Sequence, residues 1–356
     1  MEHAAPALAA AEPPRVALAN LPTPLQPLRF TVAGAQFWLK RDDFTGGELS
    51  GNKVRKLEYL VAEATAQGAT VLISCGGEQS NHARATAAAA ARLGLRCHLV
   101  LRTVDPAAPP PLVGNLLIDM LVGAEVSWIS HLQWKQRDQH MTDVAARLTA
   151  AGERPYIIPV GGSNGLGSWG YIRAIHELAG DLERAGLLAP VAAAPKPLTI
   201  AYACGSGGTA AGLIIGAKML GLAARGVRVV GFNVSDDRAY FIAEISRICR
   251  DFAAQFDVGV TISTDDIDIC DGYVGAGYAK SRPDELATIR SFARTDGVVL
   301  DPVYTGKAFH GVVTELTHNP ARFGPAGTPV VFIHTGGLFG AFASEMLAAS
   351  AVRIHA

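Results

Sequence analysis

The sequence lacks a long hydrophobic run and has almost no net charge. No stretch approaches the roughly 18 consecutive apolar residues that a membrane-spanning helix needs. The 31 basic and 32 acidic side chains give a formal net charge of −1, which argues against electrostatic binding to nucleic acids or anionic membrane surfaces. We therefore expect either a protein that acts on a small molecule or one with a neutral protein-binding surface, and in both cases no binding to nucleic acid or membrane.

Cysteines are few and follow no recognisable pattern. The five cysteines are Cys75, Cys97, Cys204, Cys249 and Cys270. None forms the CxxC spacing of a zinc or redox site, and an odd, scattered set is typical of a reducing compartment. Residues 1–16 lack the basic start and continuous apolar core of a signal peptide. We therefore expect a cytoplasmic protein without a bound metal, and a frayed tail over residues 1–16.

Short apolar runs alternate with helical patterns along most of the 356 residues. The runs predicted as strands are 36–40, 70–74, 96–101, 125–128, 156–159, 198–203, 227–232, 297–300 and 329–333. Ala- and Leu-rich helical patterns follow many of them, at 80–93, 112–122 and 137–152. Buried β-branched runs that alternate with helices predict parallel strands and an α/β fold. The length favours two domains, and the Ala/Pro-rich segment 188–197 is the predicted hinge or linker.

The segment YACGSGGTAAG (202–212) places three closely spaced glycines between a predicted strand and a predicted helix. Converging backbone N–H groups and the positive end of a helix would make this turn a phosphate cradle. The turn is neither a P-loop nor a GxGxxG dinucleotide motif. The alternative is a plain tight turn between strand and helix.

Two further segments place polar side chains where predicted strands end. CGGEQSNHARA (75–85) contains Ser80, Asn81 and His82, which either cap a helix or bind a ligand at the carboxyl edge of the sheet. LDPVYTGKAFHG (300–311) contains a tyrosine that is either a core residue or a catalytic group.

Two lysines begin the helix predicted in GELSGNKVRKLEYL (47–60). Lys53 and Lys56 lie one turn apart at the positive end of this helix, where cations are unfavourable unless an anion lies there as well. The alternative is a solvated basic patch at the first turn.

Six motifs, taken in order, resemble one family of enzymes. They are SGNKVRKLEYL, GGEQSNHARATAAAAARLGL, PVGGSNGLGSWGY, CGSGGTAAGL, LDPVYTGKA and FIHTGG. The chain resembles the pyridoxal-phosphate-dependent 1-aminocyclopropane-1-carboxylate deaminase/D-cysteine desulfhydrase family from about residue 21 to residue 337. The resemblance implies a fold of the tryptophan synthase β type, with two open, parallel α/β domains and pyridoxal 5'-phosphate between them. On this basis we predict a large cofactor-binding domain of residues 1–56 and 168–356, a small domain of residues 57–167, and a homodimer.

The resemblance also implies roles for individual residues. Lys53 is expected to form the Schiff base with the cofactor and Lys56 to contact its phosphate, which the loop Gly205, Ser206, Gly207, Gly208 and Thr209 would cradle. A second cation and partial burial lower the pKa of a lysine, as Schiff-base formation requires. Asn81 is expected at the cofactor's phenolic oxygen.

The substrate side is assigned in the same way. Ser80, Asn81 and His82 are expected to hold the substrate carboxylate, and Ser80 to accept a proton. Tyr278 and Tyr304 are expected to line the substrate face.

Two threonines indicate which reaction of the family to expect. Deaminases of the family resemble one another in having VYEG and HLGG, whereas this chain has Thr305 in VYTG and Thr335 in HTGG. A threonine facing the cofactor's ring nitrogen would leave that nitrogen largely neutral, which suffices for β-elimination. We therefore expect α,β-elimination from a small amino acid, with D-cysteine as the main candidate. The alternatives are 1-aminocyclopropane-1-carboxylate deamination and elimination of sulfite from L-cysteate; Glu78 and the 279–284 segment depart from the family pattern.

Overall fold

The computed structural model describes residues 11–351 of the chain. The strands are β1 (Leu25–Val32), β2 (Ala35–Lys40), β3 (Val71–Gly77), β4 (Arg96–Thr103), β5 (Glu125–Ser130), β6 (Pro155–Ile157), β7 (Leu198–Cys204), β8 (Val227–Asn233), β9 (Asp268–Cys270) and β10 (Val330–Ile333). The helices are α1 (Asn52–Ala66), α2 (Asn81–Arg92), α3 (Gly114–Leu121), α4 (Arg137–Ala150), α5 (Gly165–Arg184), α6 (Gly208–Met219), α7 (Arg238–Gln255), α8 (Pro283–Asp296), α9 (Thr305–His318), α10 (Leu338–Phe342) and α11 (Glu345–Ala351). Within this range no helix has the length and apolar character to cross a membrane.

Two sheets organise these elements. The larger has the strand order β1-β2-β10-β7-β8-β9, and the smaller has the order β5-β4-β3-β6. All pairs are parallel except β1 with β2, which form an antiparallel hairpin at the edge of the larger sheet. The prediction of an α/β fold with two open, mainly parallel sheets is confirmed.

Strands at both edges of the larger sheet differ from the prediction. β1 and β9 have no counterpart among the predicted strands, and β1 contains Pro27, which only an edge strand or a bulge tolerates. The strand predicted at 297–300 is wrong. This run connects α8 to α9 without pairing, and its apolar character comes from Val298 and Leu300, which are buried in the core.

The segment 188–197 is a loop, but it joins α5 to β7 rather than one sheet to the other. The smaller sheet lies within residues 71–157. Helix α1 crosses the predicted domain limit at 56/57, and α5 crosses the limit at 167/168. The domain limits themselves remain a prediction.

The N-terminal segment packs on the body of the protein where the structure describes it. Glu12 accepts a hydrogen bond from the hydroxyl of Tyr59 (2.6 Å) and forms a salt bridge with Arg173 (3.0 Å). The frayed tail expected over residues 1–16 is therefore wrong for its described part. Residues 1–10 lie outside the described residues.

Helix α1 begins against the turn that follows β10. Gly51 precedes this helix with φ +105°, and a Cβ at this position would lie 2.7 Å from the carbonyl oxygen of Thr335. Only glycine allows so close an approach in this conformation. The N–H of Asn52 donates to the same carbonyl (3.1 Å). This contact fixes the first turn of α1, which contains Lys53, at the carboxyl end of β10.

A buried arginine anchors the middle of the same helix. Arg55 donates to both carboxylate oxygens of Asp42 (2.8 and 2.9 Å) and to both of Glu177 (3.0 Å each). Helix α5 approaches at Gly170, where an added Cβ would lie 2.5 Å from the Arg55 carbonyl. Burial opposes the charge, but the two carboxylates raise the pKa of Arg55 above its ordinary value. These contacts tie α1 to α5 and to the turn after β2.

Removing this arginine is expected to destabilise the fold strongly. Arg55→Ala leaves Asp42 as a buried carboxylate without its cation, which typically costs about 3–5 kcal/mol of unfolding free energy. Lys218→Ala removes a salt bridge to Asp266 whose lysine is well exposed, and the expected loss there is below about 1 kcal/mol. Urea unfolding of both variants measures the difference, and equal losses would contradict the anchoring role of Arg55.

Candidate active site

A cavity of about 910 Å³ lies where strands of both sheets end. Its wall includes residues that follow β3, β7 and β10, so the two sheets face one space with their carboxyl edges. Parallel α/β sheets bind their ligands at this edge. All but three of the predicted site residues line the cavity. The three exceptions are Lys56, Gly208 and Thr305.

Lys53 lies on the first turn of α1 and lines this cavity. Its ammonium donates a hydrogen bond to the side-chain oxygen of Asn52 (3.2 Å). The side-chain NH2 group of Asn52 donates in turn to the hydroxyl of Thr209 (3.0 Å). Burial lowers the pKa of Lys53 to about 8, although the charge of Asp301 opposes the shift. The structure therefore presents a partly buried amine that is readily deprotonated.

Lys56 lies behind the cavity wall. Its side chain is fully buried, and its Nζ has no hydrogen-bond partner among residues 11–351. Burial and the neighbouring charge of Lys53 hold the pKa of Lys56 well below its ordinary value. A buried, unpartnered ammonium is costly unless an anion lies nearby.

The glycine-rich turn after β7 forms the amino end of α6. Gly207 is its N-cap with φ +79° and has no side chain that could accept the N–H groups of the first turn. Gly161 packs against this turn, since a Cβ there would lie 2.4 Å from Ser206 Oγ. Ser163 donates to Ser206 Oγ (3.0 Å) and accepts from the N–H of Gly208 (3.3 Å). The arrangement is a backbone cradle with the positive end of a helix directed at it.

These features test whether a pyridoxal phosphate fits. The cradle offers a place for a phosphate, and Lys53 offers an amine of lowered pKa. Lys56 offers a buried amino group without a partner among the described residues, and a nearby anion would stabilise its charged form. Each complements one chemical group of the cofactor. The residues present therefore fit it.

The Ser80–Asn81–His82 segment caps α2 at the opposite wall. Ser80 Oγ accepts the N–H of Ala83 (3.1 Å), so the capping alternative applies, while its hydroxyl proton remains available to the cavity. His82 Nε2 lies 2.9 Å from Ser74 Oγ. Burial, followed by the charges of the two lysines, keeps the pKa of His82 well below its ordinary value. His82 is therefore a neutral residue.

Asn81 is held by two residues that the sequence analysis missed. Its Oδ1 accepts from the Asn115 amide (3.0 Å), and Asn115 accepts from Arg84 (2.8 Å). Arg84 also donates to the backbone carbonyl of Ser50 (2.7 Å), just before α1. These contacts leave the Asn81 amide group free for a ligand. No sequence signal indicates Asn115, because its role depends on contacts between α2 and α3.

The two predicted tyrosines are joined. The hydroxyls of Tyr278 and Tyr304 lie 2.6 Å apart, and the rings meet edge to face. Burial, and then Tyr278, raises the pKa of Tyr304 well above its ordinary value. Tyr304 is therefore neutral, and it keeps a hydroxyl proton that the pair can donate toward the cavity.

The two diagnostic threonines are placed differently. Thr335 lines the cavity, whereas Thr305 is fully buried outside its wall. The Thr305 hydroxyl donates to Asp301 Oδ1 (2.6 Å) and accepts the Asp301 N–H (2.8 Å). Asp301 also accepts the N–H groups of Tyr304 and Thr305 (2.8 Å each), where α9 begins. The predicted contact of Thr305 with the cofactor remains a prediction.

The departures from the family pattern lie at the edge of the site. Glu78 accepts a hydrogen bond from Thr103 and is not part of the cavity wall. Lys280 is exposed, and Arg282 forms a salt bridge with Glu285 on α8 (3.1 Å). A basic residue that does line the cavity is Arg102, near the end of β4. Its position at a carboxyl strand end is the signal that could have identified it.

A lysine of lowered pKa beside a glycine-rich helix start, at the carboxyl edges of two mainly parallel sheets, suits an enzyme site for a phosphorylated cofactor. The model of the family described as "Pyridoxal-phosphate dependent enzyme" matches residues 16–336. The chain belongs to this family, and its cofactor is pyridoxal 5'-phosphate.

Three similar proteins with assigned names indicate which members of the family the chain resembles. The chain is 43% identical over 336 residues to a bifunctional D-cysteine desulfhydrase/1-aminocyclopropane-1-carboxylate deaminase of Arabidopsis thaliana, a mitochondrial protein, covering 91% of this chain and 78% of the relative. It is 37% identical over 334 residues to a D-cysteine desulfhydrase of Salmonella newport, covering 93% and 96%. A crystal structure of an ACC deaminase homologue has a TM-score of 0.83 at 35% identity, covering 98% and 100%. The match extends over nearly the whole chain in each case.

The lowered pKa of Lys53 leads to a test on the cofactor-free protein. A neutral amine reacts with trinitrobenzenesulfonate and an ammonium does not, so labelling of Lys53 is expected to rise with pH through a midpoint of about 8. The labelling of an ordinary lysine has its midpoint at pH ~10.4. Peptide mass spectrometry measures labelling, and N-acetyl-lysine methylamide is the control. A Lys53 midpoint equal to that of the control contradicts the burial argument.

Proposed function

We propose that Lys53 binds the cofactor covalently and that the Gly205–Thr209 turn holds its phosphate, with Lys56 as the nearby cation. The observation that supports this assignment best is the partly buried Lys53 amine, with its pKa lowered to about 8, in a cavity bounded by an uncapped helix end. Pyridoxal phosphate, when bound, withdraws electrons from the α-carbon of an amino acid. Asn81 has a free amide group for the phenolic oxygen.

We further propose that the protein is a lyase that catalyses α,β-elimination from a small β-substituted amino acid. D-Cysteine is the main candidate, with sulfide, pyruvate and ammonia as products. The name of the Salmonella relative supports this substrate. The sulfide leaves from the β-carbon, and hydrolysis of the remaining fragment gives pyruvate and ammonia.

The groups that move protons belong to two walls of the cavity. The α-proton would pass to Ser80 Oγ or to the Lys53 amine. Tyr304 keeps its hydroxyl proton, because its raised pKa leaves it neutral. The Tyr278–Tyr304 pair would therefore protonate or orient the leaving group. The hydroxyl of Ser80 and the side-chain amide of Asn81 would hold the substrate carboxylate, with His82 as a neutral support behind them.

Deamination of 1-aminocyclopropane-1-carboxylate is the second candidate. The Arabidopsis relative is named for both activities, so the shared family does not separate them. The chain has threonine at both positions where the family's deaminases have Glu and Leu, and Thr305 shares its hydroxyl with Asp301. We therefore favour elimination from D-cysteine, with L-cysteate as a further substrate to test.

A substrate panel distinguishes these reactions. The holoenzyme is expected to release pyruvate from D-cysteine and β-chloro-D-alanine faster than it releases pyruvate from L-cysteine or L-cysteate, or 2-oxobutyrate from the cyclopropane substrate. Borohydride reduction followed by peptide mass spectrometry is expected to find the cofactor on Lys53, and Lys53→Ala to abolish both the adduct and turnover. Release of 2-oxobutyrate from the cyclopropane substrate, with no pyruvate from any other, would reverse the order of the two candidates.

We also propose a homodimer. Exposed apolar side chains occur on α3 and α10, among them Met120, Leu121 and Phe342. These helices are adjacent, since a Cβ at Gly114 would lie 2.6 Å from the carbonyl of Phe339. Exposed apolar side chains on adjacent helices are typical of a subunit interface.

Sedimentation measurements test the proposed homodimer. Sedimentation velocity is expected to give twice the chain mass for the wild type and a lighter species for Leu121→Lys, because a buried lysine opposes association. Leu132→Lys is the matched control, since Leu132 is exposed on a turn after β5, away from α3 and α10. A monomeric wild type contradicts the proposal.

We propose that the protein is cytoplasmic, because its cysteines are not paired in disulfides. All five are free thiols and all five are buried. Burial raises the pKa of Cys75, Cys204, Cys249 and Cys270 to about 12. Unpaired thiols are usual in a reducing compartment.

A further inference from the structure

Arg102 projects from the end of β4 into the main cavity. Its backbone lies opposite Gly77 of β3, three residues before Ser80. Its guanidinium carbon lies 4.5 Å from the ring centre of Tyr278 and 4.7 Å from that of Trp134. The cation is thus held between two aromatic faces, one belonging to the tyrosine pair of the proposed active site.

This guanidinium has no acidic partner in the part of the chain that the structure describes. None of the salt bridges or side-chain hydrogen bonds found there includes Arg102, whereas Arg247, another arginine of the cavity wall, is paired with Glu244 (2.6 Å). Glu78 accepts the Thr103 hydroxyl. Successive residues of a strand point to opposite faces, so this carboxylate is directed away from Arg102.

The two aromatic contacts, at 4.5 and 4.7 Å from the guanidinium carbon, do not supply an acceptor for its N–H groups. The described side chains supply none either, so these N–H groups are available, and their fork suits tetrahedral or planar anions. A Cβ on Gly77 would lie 3.8 Å from Arg102 Nε and 3.7 Å from the Tyr278 hydroxyl. Both groups therefore reach the same part of the wall, next to the segment that caps α2.

We propose that Arg102 is a specificity-determining residue that binds an anionic substituent on the β-carbon of the substrate. The substrates selected are short amino acids whose β-group is a thiolate or, with the strongest effect, a sulfonate. The inference rests on the proposed function only for the identification of the cavity as the substrate site. With the α-carboxylate at Ser80 and Asn81, the β-substituent lies within reach of the wall formed by Tyr278 and Arg102.

A purely structural role for Arg102 predicts a different effect of its removal on ligand binding. If the guanidinium served only to join Tyr278 to Trp134, its loss would weaken all ligands alike. A role in recognition instead changes the ratio between an anionic and a neutral β-group. Lys135 provides the matched control, because it lines the same cavity but is exposed and outside the stack between Tyr278 and Trp134.

The test compares two inhibitors that differ at one end. Binding of 3-sulfopropanoate and of butanoate to the holoenzyme is measured by isothermal titration calorimetry at fixed ionic strength. The wild type is expected to bind the sulfonate at least about tenfold more tightly, as a charge-assisted hydrogen bond to arginine provides. In Arg102→Gln the ratio is expected to fall close to one, in Arg102→Lys to be intermediate, and in Lys135→Gln to equal that of the wild type.

Two outcomes overturn the proposal. One is a wild-type ratio near one; the other is an equal fall in Arg102→Gln and Lys135→Gln, which would assign the effect to the general field of the cavity. Thermal unfolding of each variant shows whether it is folded, and Arg102→Lys tests the site if the glutamine variant is not. Pyruvate release by the wild type from β-chloro-D-alanine is measured in parallel. Its absence contradicts the proposed function, while the calorimetric ratio still decides the role of Arg102.

Discussion

The ion cluster around Arg55 is the constraint on which the site depends. Arg55 lies between Lys53 and Lys56 on α1, and its contacts with Asp42 and Glu177 fix both the rotation and the height of the helix. Burial alone would raise the pKa of Glu177, but hydrogen bonds from Arg55 and Lys40 lower it to about 2. The cluster is therefore ionised at neutral pH and holds α1 as a rigid support.

This cluster also separates the charges within a single helical turn. Asp42 and Glu177 are occupied by Arg55, and Glu177 also binds Lys40 (2.6 Å). Lys53 and Lys56 on the cavity side of the helix receive no carboxylate from this group. Burial is the main cause of their lowered pKa values, and the acids of this cluster do not oppose it. One helix thereby contains a paired cation that stabilises the fold and two lysines that this cluster leaves without a carboxylate.

Much of the fold and of the site was predictable because the information is local. Alternating apolar runs predict the central strands, and the glycine turn at 205–209 and the serine cap at Ser80 lie where their sequences place them. The prediction failed where tertiary contacts decide. Val298 and Leu300 are apolar without being in a strand, because a core needs buried side chains and does not need them paired in a sheet. The support of Asn81 by Asn115 joins two helices, and no periodicity encodes it.

The burial of every cysteine has a practical consequence. Burial keeps these thiols inaccessible and largely protonated, and a protonated thiol is a poor nucleophile. A single cysteine introduced on the surface would therefore react with a maleimide dye far faster than any native thiol. Dyes attached to positions 132 and 191, both strongly exposed, would report the distance between the two sheets by energy transfer while the enzyme turns over, with the native cysteines left in place.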